Sequence, residues 1–203
     1  FCRKKFKLDR ELERHLSIIL RNSKNANGIV RDLLDFAKPG DMFFEYGRIE
    51  TAISKACELA KSRCARQRVS LRKRVQKGLP KKMFDKRRIE GVFLNFIMNA
   101  LDAMPGGGSL VVSAHFDHHA KEIVAAFKDT GEGISKDNLG RIFDPFFTTK
   151  SRGVGLGLSI AHSVITHHKG RIEVRSKTGM GTEVIVRLPV FSNPMIQKAD
   201  NDR

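Results

Sequence analysis

The sequence predicts an α+β fold: a compact domain of helices and sheet, preceded by one long helix that belongs to a separate element. Two observations carry this. Apolar or small residues recur at helical spacing from Leu12 to Ala37, whereas after Pro39 strand-like alternation and amphipathic helical runs share one stretch of chain. With 203 residues, 40% of them apolar, there is material for one substantial domain and a smaller element. The expected boundaries are 1–44 for the helical element, 45–191 for the domain and 192–203 for a polar tail.

In the first element Leu12, Leu16, Ile19, Ser23, Ala26, Val30, Leu33 and Ala37 alternate at spacings of four and three. That is a seam of period 3.5, the pattern of a helix packed lengthwise on partner helices. Asp9 is the start signal, and Pro39-Gly40 ends the helix. The stripe stays narrow over several turns, which favours a dimerising helical hairpin over a helix lying on its own domain. An extended stretch follows near Phe43 to Ile49, then an amphipathic helix from Glu50 to Arg66 and a strand over Val69 to Val75. A helix from Lys86 to Met104 leads through Pro105-Gly106-Gly107-Gly108 to strands at Ser109–Phe116 and Glu122–Lys128. The last two strands, Arg171–Ser176 and Glu183–Leu188, flank a glycine-containing turn, and Pro189 is expected to stop the sheet.

The chain starts at Phe1, has neither a signal peptide nor an apolar run long enough to cross a bilayer, and so reads as a soluble, cytoplasmic fragment whose parent could be membrane-anchored. Three cysteines, Cys2, Cys57 and Cys64, are too few and too scattered for a disulfide framework or a metal knuckle. The formal net charge of +16 is concentrated between Lys61 and Arg88, where Asp85 is the single acid. Almost no aromatics interleave these bases, so a solvated basic face fits better than a specific nucleic-acid reader.

Four segments carry chemistry. In "FLNFIMNALDAM", Asn95, Asn99 and Asp102 sit at intervals of four and three on one helical face, opposite Val92, Phe93, Phe96, Ile97, Ala100 and Leu101. A polar stripe of three such groups points to a ligand more than to loop capping. In "DTGEGI", Asp129 ends an apolar strand, and Gly131 and Gly133 free the backbone for a sharp turn. Such a carboxylate could accept a hydrogen bond from the exocyclic amine of an adenine; its bland alternative is an ordinary Asp-containing turn. In "GVGLGLSIAHSV", Gly153, Gly155 and Gly157 lead into a helix N-terminus, a receptor for phosphate, although without the Gly-Lys-Ser/Thr ending of a P-loop. Between them "RIFDPFFTTK" offers Phe143, Phe146 and Phe147 as anchors and Lys150 as a cation that could reach phosphates.

In this order and spacing the segments resemble the asparagine box, the two glycine boxes and the phenylalanine box of sensor histidine kinases, members of the ATPase superfamily shared by gyrase, the heat-shock chaperone and the mismatch-repair ATPase. The resemblance covers about Asp9 to Leu188, with "VRDLLDFAKP" similar to the end of the second dimerisation helix. It implies a two-layer α/β sandwich, a mixed and mostly antiparallel sheet covered by helices, behind a remnant of the dimerisation hairpin. It also implies ATP and Mg²⁺ as ligands. Asn99 would offer its amide oxygen to Mg²⁺, Asp129 would read adenine, and Gly131 and Gly133 would shape that pocket with support from Thr182. Gly153, Gly155, Leu156 and Gly157 would cradle the phosphates, with Lys150 as charge partner and Asp102 beside them. Asn95 stands where hydrolytic relatives place a glutamate, and an amide cannot serve as general base, so delivery of phosphate to a nucleophile is implied.

The resemblance implies further partners: a response-regulator receiver domain, and a homodimer in the parent protein. The family's acceptor histidine, followed by an acidic residue and a basic-Asn-Pro-like turn, does not occur. His15 is followed by Leu16; His115, His118 and His119 flank a strand turn; His162 and His167 lie on the helix after the glycines. His168 reads as a dipole partner at the end of that helix. The fragment is therefore expected to bind ATP but not to phosphorylate itself. The competing readings are an ATPase or chaperone-type member of the same fold, and a basic adaptor for nucleic acid or acidic membrane with a degenerate pocket.

Overall fold

The seam residues form one helix, α1 (Arg10–Ala37), in a computed structural model that describes residues 10–37, 41–150 and 153–190. The expected signals Asp9 and Pro39-Gly40, and the tail after residue 191, lie outside the described residues. Along α1 the side chains of Leu12, Ile19, Val30 and Leu33 are 40–61% exposed, as a stripe awaiting partner helices would be. The chain divides into two units, Phe1–Gly40 and Asp41–Arg203. Among the described residues no helix is long and apolar enough to cross a membrane.

The second unit runs β1 (Glu45–Gly47), α2 (Ile49–Arg66), β2 (Val69–Val75), β3 (Lys82–Phe84), α3 (Lys86–Asp102), β4 (Gly108–Asp117), β5 (Glu122–Asp129), α4 (Lys136–Leu139), α5 (Gly157–His167), β6 (Arg171–Ser176) and β7 (Thr182–Pro189). Five strands make one sheet in the order β2-β4-β5-β7-β6, with only β2 and β4 parallel. This is the mixed, mostly antiparallel sheet that the sequence led us to expect. One face of the sheet is apolar at every second position and packs on the helices: Leu110, Val112 and Ala114 of β4, and Ile123, Ala125 and Phe127 of β5, are all buried. Phe127 meets Phe93 and Phe96 of α3 at ring distances of 5.3 and 5.4 Å. On the opposite face Arg187 donates to Glu173 at 2.8 Å and Arg171 forks onto Glu122, an ion-pair ladder across β5, β7 and β6.

The strand β7 continues through Pro189, which still opposes Glu122, and Val190 bonds on to Lys121. The strand thus ends at Pro189, one residue beyond the expected Leu188, where a terminal position needs no further N–H of its own. Two short elements were not foreseen: β3, which pairs antiparallel with β1, and the single-turn α4. The basic stretch is a solvated face for Arg72, Lys73 and Arg74 on β2, an edge strand of the sheet. It is not so for Lys82, only 5% exposed, because β3 turns it towards the core side that Phe84 shares. Asp85, the lone acid, is buried as N-cap of α3, accepting from Arg88 N at 2.9 Å and from Phe43 N at 3.0 Å.

His168 also departs from expectation. It is buried, donates from Nδ1 to Val164 O at 2.7 Å and accepts at Nε2 from Asp85 N at 2.9 Å. Burial, with Lys82 and His167 nearby, holds its pKa below the ordinary histidine value despite the bond to Val164 and the charge of Asp85. It caps the helix end as a neutral ring, since an imidazolium could not accept the Asp85 N–H.

Candidate functional site

The buried flank of α3, from Ile89 to Leu101, locks its other flank in register, so Asn95, Asn99 and Asp102 point the same way. They are joined in the structure: Asn99 Nδ2 donates to Asn95 Oδ1 at 3.5 Å, and Lys150 Nζ donates to Asn99 Oδ1 at 2.8 Å and Asp102 Oδ2 at 2.7 Å. Arg63, at the end of α2, pairs with Asp102 Oδ1 and also reaches Met98 Sδ and Gln67 Oε1. Partial burial works to raise the Asp102 carboxyl, but the bonds and charges of Lys150 and Arg63 outweigh it and hold the group below the usual carboxylate range. Arg63 and Gln67 are the members that sequence reasoning missed. Arg63 was hidden in a basic run, and only the packing of α2 on α3 reveals its partner.

At the far end, Asp129 closes β5 with only 5% exposure. Its Oδ1 accepts from Gly131 N at 2.8 Å and from Thr182 N at 3.2 Å, so one carboxylate staples two strand ends. Burial pushes the acid up, and the two backbone donors offset this only in part. Thr182 is held by Ser176, whose hydroxyl lies 2.9 Å from Thr182 Oγ1 and also receives Ile134 N at 2.8 Å. Gly133 has φ +71, and a Cβ there would lie 2.1 Å from Lys177 O, so the turn after Asp129 closes on the β6–β7 turn only with glycine. Gly131 lies against the backbone of Ala103 just beyond α3, which brings the Asp129 turn up to the asparagine helix.

The third group frames the N-terminus of α5. Leu156 is its N-cap and supplies no side-chain bond to the first turn, leaving backbone N–H groups directed outward. Gly157 opens the helix against Asn95: a Cβ at Gly157 would sit 2.7 Å from Asn95 Oδ1. Gly155 has φ +75 and passes so close to the Phe146 and Phe147 backbone that a Cβ would meet Phe146 C at 2.4 Å. Gly153 bonds back to Lys150 O at 3.2 Å. Of the expected aromatic anchors, Phe143 stacks on His162 and Phe147 lies under Arg141. Phe146 has its backbone at φ +66 and is 58% exposed.

The site residues thus gather around α3, with an acid-centred turn at one end and an uncapped helix N-terminus at the other. Asn95 Nδ2 is buried and has no hydrogen-bond partner among the described residues, an arrangement that a ligand acceptor would relieve. Asn99 presents a hard amide oxygen that already holds a cation, the Lys150 ammonium. Among the described residues no group of three His, Cys, Asp or Glu is placed to hold a metal ion.

Residues 84–192, more than half of the chain, match the family described as histidine kinase-, DNA gyrase B-, and HSP90-like ATPase. The chain belongs to this ATPase family. Sporulation kinase E of Bacillus subtilis (strain 168) is 29% identical over 189 residues, 92% of this chain and 25% of that protein. Sensor histidine kinase ZraS of Escherichia coli (strain K12) is 31% identical over 173 residues, 85% of this chain and 37% of that protein. This member of the family therefore spans between a quarter and two fifths of these curated relatives. Full-length ShkA, crystallised with AMPPNP, superposes with a TM-score of 0.78 at 26% identity over 92% of this chain and 40% of that one. The nucleotide-free catalytic domain of histidine kinase ThkA gives 0.66 at 25% identity, over 73% of this chain and 99% of that one. The second unit is thus an ATP-binding catalytic domain of the histidine kinase kind, and the α+β fold of the family is the one observed.

Proposed function

We propose that this chain is the ATP-binding kinase core of a two-component sensor histidine kinase, which transfers the γ-phosphoryl group to a histidine outside the 203 residues for relay to a receiver-domain aspartate. The observation that carries it is the Asn95–Asn99–Lys150–Asp102 chain, facing the glycine-framed start of α5. Asp129 reads the adenine amine with its free carboxylate lobe, steadied by Gly131, Gly133 and Thr182. Gly153, Gly155, Leu156 and Gly157 present backbone N–H groups to the phosphates, and Lys150 adds a mobile positive charge. Asn99 would hold Mg²⁺ through Oδ1, and the ion would supply charge neutralisation for the phosphates. Asn95 orients through its amide and takes no proton, so water is not activated and the γ-phosphoryl group waits for an imidazole.

The exposed seam of α1 fits a homodimeric helical bundle in the parent, and residues 1–44 are assigned to that element, 45–191 to the kinase core. The basic stretch is assigned no nucleic-acid partner. Calorimetry of the chain with Mg²⁺ and ATP tests the reading: saturable ATP binding, much weaker GTP binding and negligible steady-state hydrolysis are expected. Absence of ATP binding overturns it, rapid hydrolysis favours an ATPase, and salt-sensitive DNA binding without ATP binding favours the basic adaptor. Acid-labile label on His15, exposed on α1, would show that the acceptor lies within this chain.

A further inference from the structure

We propose that the Lys150 ammonium is the resident cation of the metal subsite, held there by Arg63 through Asp102, and that it must leave Asn99 before a divalent ion can take its place. The inference rests on the Asn99 assignment above and adds a competitor to it. Three facts converge. Lys150 Nζ lies 2.8 Å from Asn99 Oδ1, the atom assigned to the metal, and 2.7 Å from Asp102 Oδ2. The second Asp102 oxygen is occupied by Arg63, which is itself fixed by Gln67 Oε1 at 3.2 Å and Met98 Sδ at 3.4 Å. Asp102 therefore cannot swing away, and its free oxygen stays beside Asn99, where it receives the amine. Third, the loop backbone is tied down behind the lysine, with Lys150 N donating to Thr148 Oγ1 at 3.1 Å and Gly153 N to Lys150 O at 3.2 Å.

An ammonium and a divalent ion cannot share one amide oxygen at contact distance, because like charges so close repel strongly in a partly desolvated site. The exchange needs no new group. Lys150 is displaced from Asn99 to the phosphates that arrive with the metal, where its charge offsets part of the anion's. Arg63 is a positioning residue in this scheme: it contacts Asp102 directly and acts by fixing it. An apparent affinity falls by the fraction of molecules in which the site is competent, so an amine docked in nine molecules of ten weakens free-metal binding about tenfold.

The test uses Mn²⁺ as probe on the nucleotide-free chain, followed by electron paramagnetic resonance, with calorimetric Mg²⁺–ATP binding run in parallel. Lys150→Gln is expected to bind Mn²⁺ about tenfold more tightly than wild type. Lys150→Arg, which keeps a cation, should remain like wild type, and Lys128→Gln, a charge-matched change on exposed β5 sequence, should gain nothing. Adding Asn99→Ala to Lys150→Gln should abolish the gain. Arg63→Gln should raise Mn²⁺ affinity by a smaller factor, as Asp102 loosens its hold on the amine. If wild type binds ATP but Lys150→Gln gains no Mn²⁺ affinity, or gains no more than Lys128→Gln, the proposal is wrong while the nucleotide reading stands. If Lys150→Gln gains Mn²⁺ in an Asn99-dependent way although no variant binds ATP, the resident-cation proposal stands and the kinase reading falls.

Discussion

The ring of His168 accepts the backbone N–H of Asp85 across 83 positions of sequence, at 2.9 Å. Phe44, just before β1, lies 5.0 Å from the same ring, and Phe43 N is held by Asp85 Oδ2. The segment that enters the second unit is thereby tied to the N-cap of α3 and the C-terminus of α5 by one neutral imidazole. Because its folded pKa is depressed, the unfolded chain takes up a proton first as pH falls, so the stability due to His168 is present above about pH 6.5 and is lost below it. Thermal melts from pH 8 to 5 should show this decline. The variant His168→Ala should lower stability at pH 7.5 by about 2 kcal/mol, by orphaning the Asp85 N–H, and should flatten the profile.

Lys82 has the same sign of pH dependence in an alkaline window. Burial lowers its pKa from 10.5 to about 8, so folding is penalised while the amine is charged, and stability rises as pH climbs from about 8 towards 10.5. Replacing it by an uncharged stem of similar length removes the penalty. Lys82→Met should be more stable than wild type at pH 7 by about 1–2 kcal/mol in urea titrations, with no further gain between pH 8 and 10. A less stable Lys82→Met would show that the amine has a partner that repays its burial.

Asp129→Asn separates binding from folding. The amide oxygen can still accept from Gly131 N and Thr182 N, and the charge whose burial raises the acid is gone. Stability at pH 7 should therefore be unchanged or higher, while ATP affinity falls by about 1.5–3 kcal/mol through loss of a charged acceptor for the base. Melting temperature and calorimetric affinity moving together would contradict the assignment.

Gly155→Ala should show the same separation of binding from stability in a different loop. The new methyl is forced into a left-handed backbone at φ +75 and against Phe146 C, so the start of α5 must shift. ATP affinity is expected to fall about tenfold, near 1.4 kcal/mol, with a melting temperature within a few degrees of wild type.

Much of this was legible because the local signals and the tertiary fold agree. Strands β2 and β6 fall on the residues expected from alternation, and the asparagine stripe of α3 was visible as one face of a helix. What escaped was long-range. The strand β3 has three residues set in a cationic run, and it exists because β1 pairs with it. Arg63 and Asp102 are 39 positions apart, and Lys150 lies 48 beyond Asp102, so no periodicity could join them. His168 misled for the same reason. A histidine at a helix end suggests exposed charge, but this ring is buried and accepts the N–H of Asp85 from a distant part of the chain.

Among the described residues the strand β2 is paired on one side only, and it carries Arg72, Lys73 and Arg74 in succession. Two copies approaching rim to rim would bring these cations face to face, so the ribbon cannot be lengthened by recruiting a neighbour while the surrounding medium is dilute in ions. Concentrated electrolyte weakens that fence, and stocks of this protein should be kept clear only in modest salt.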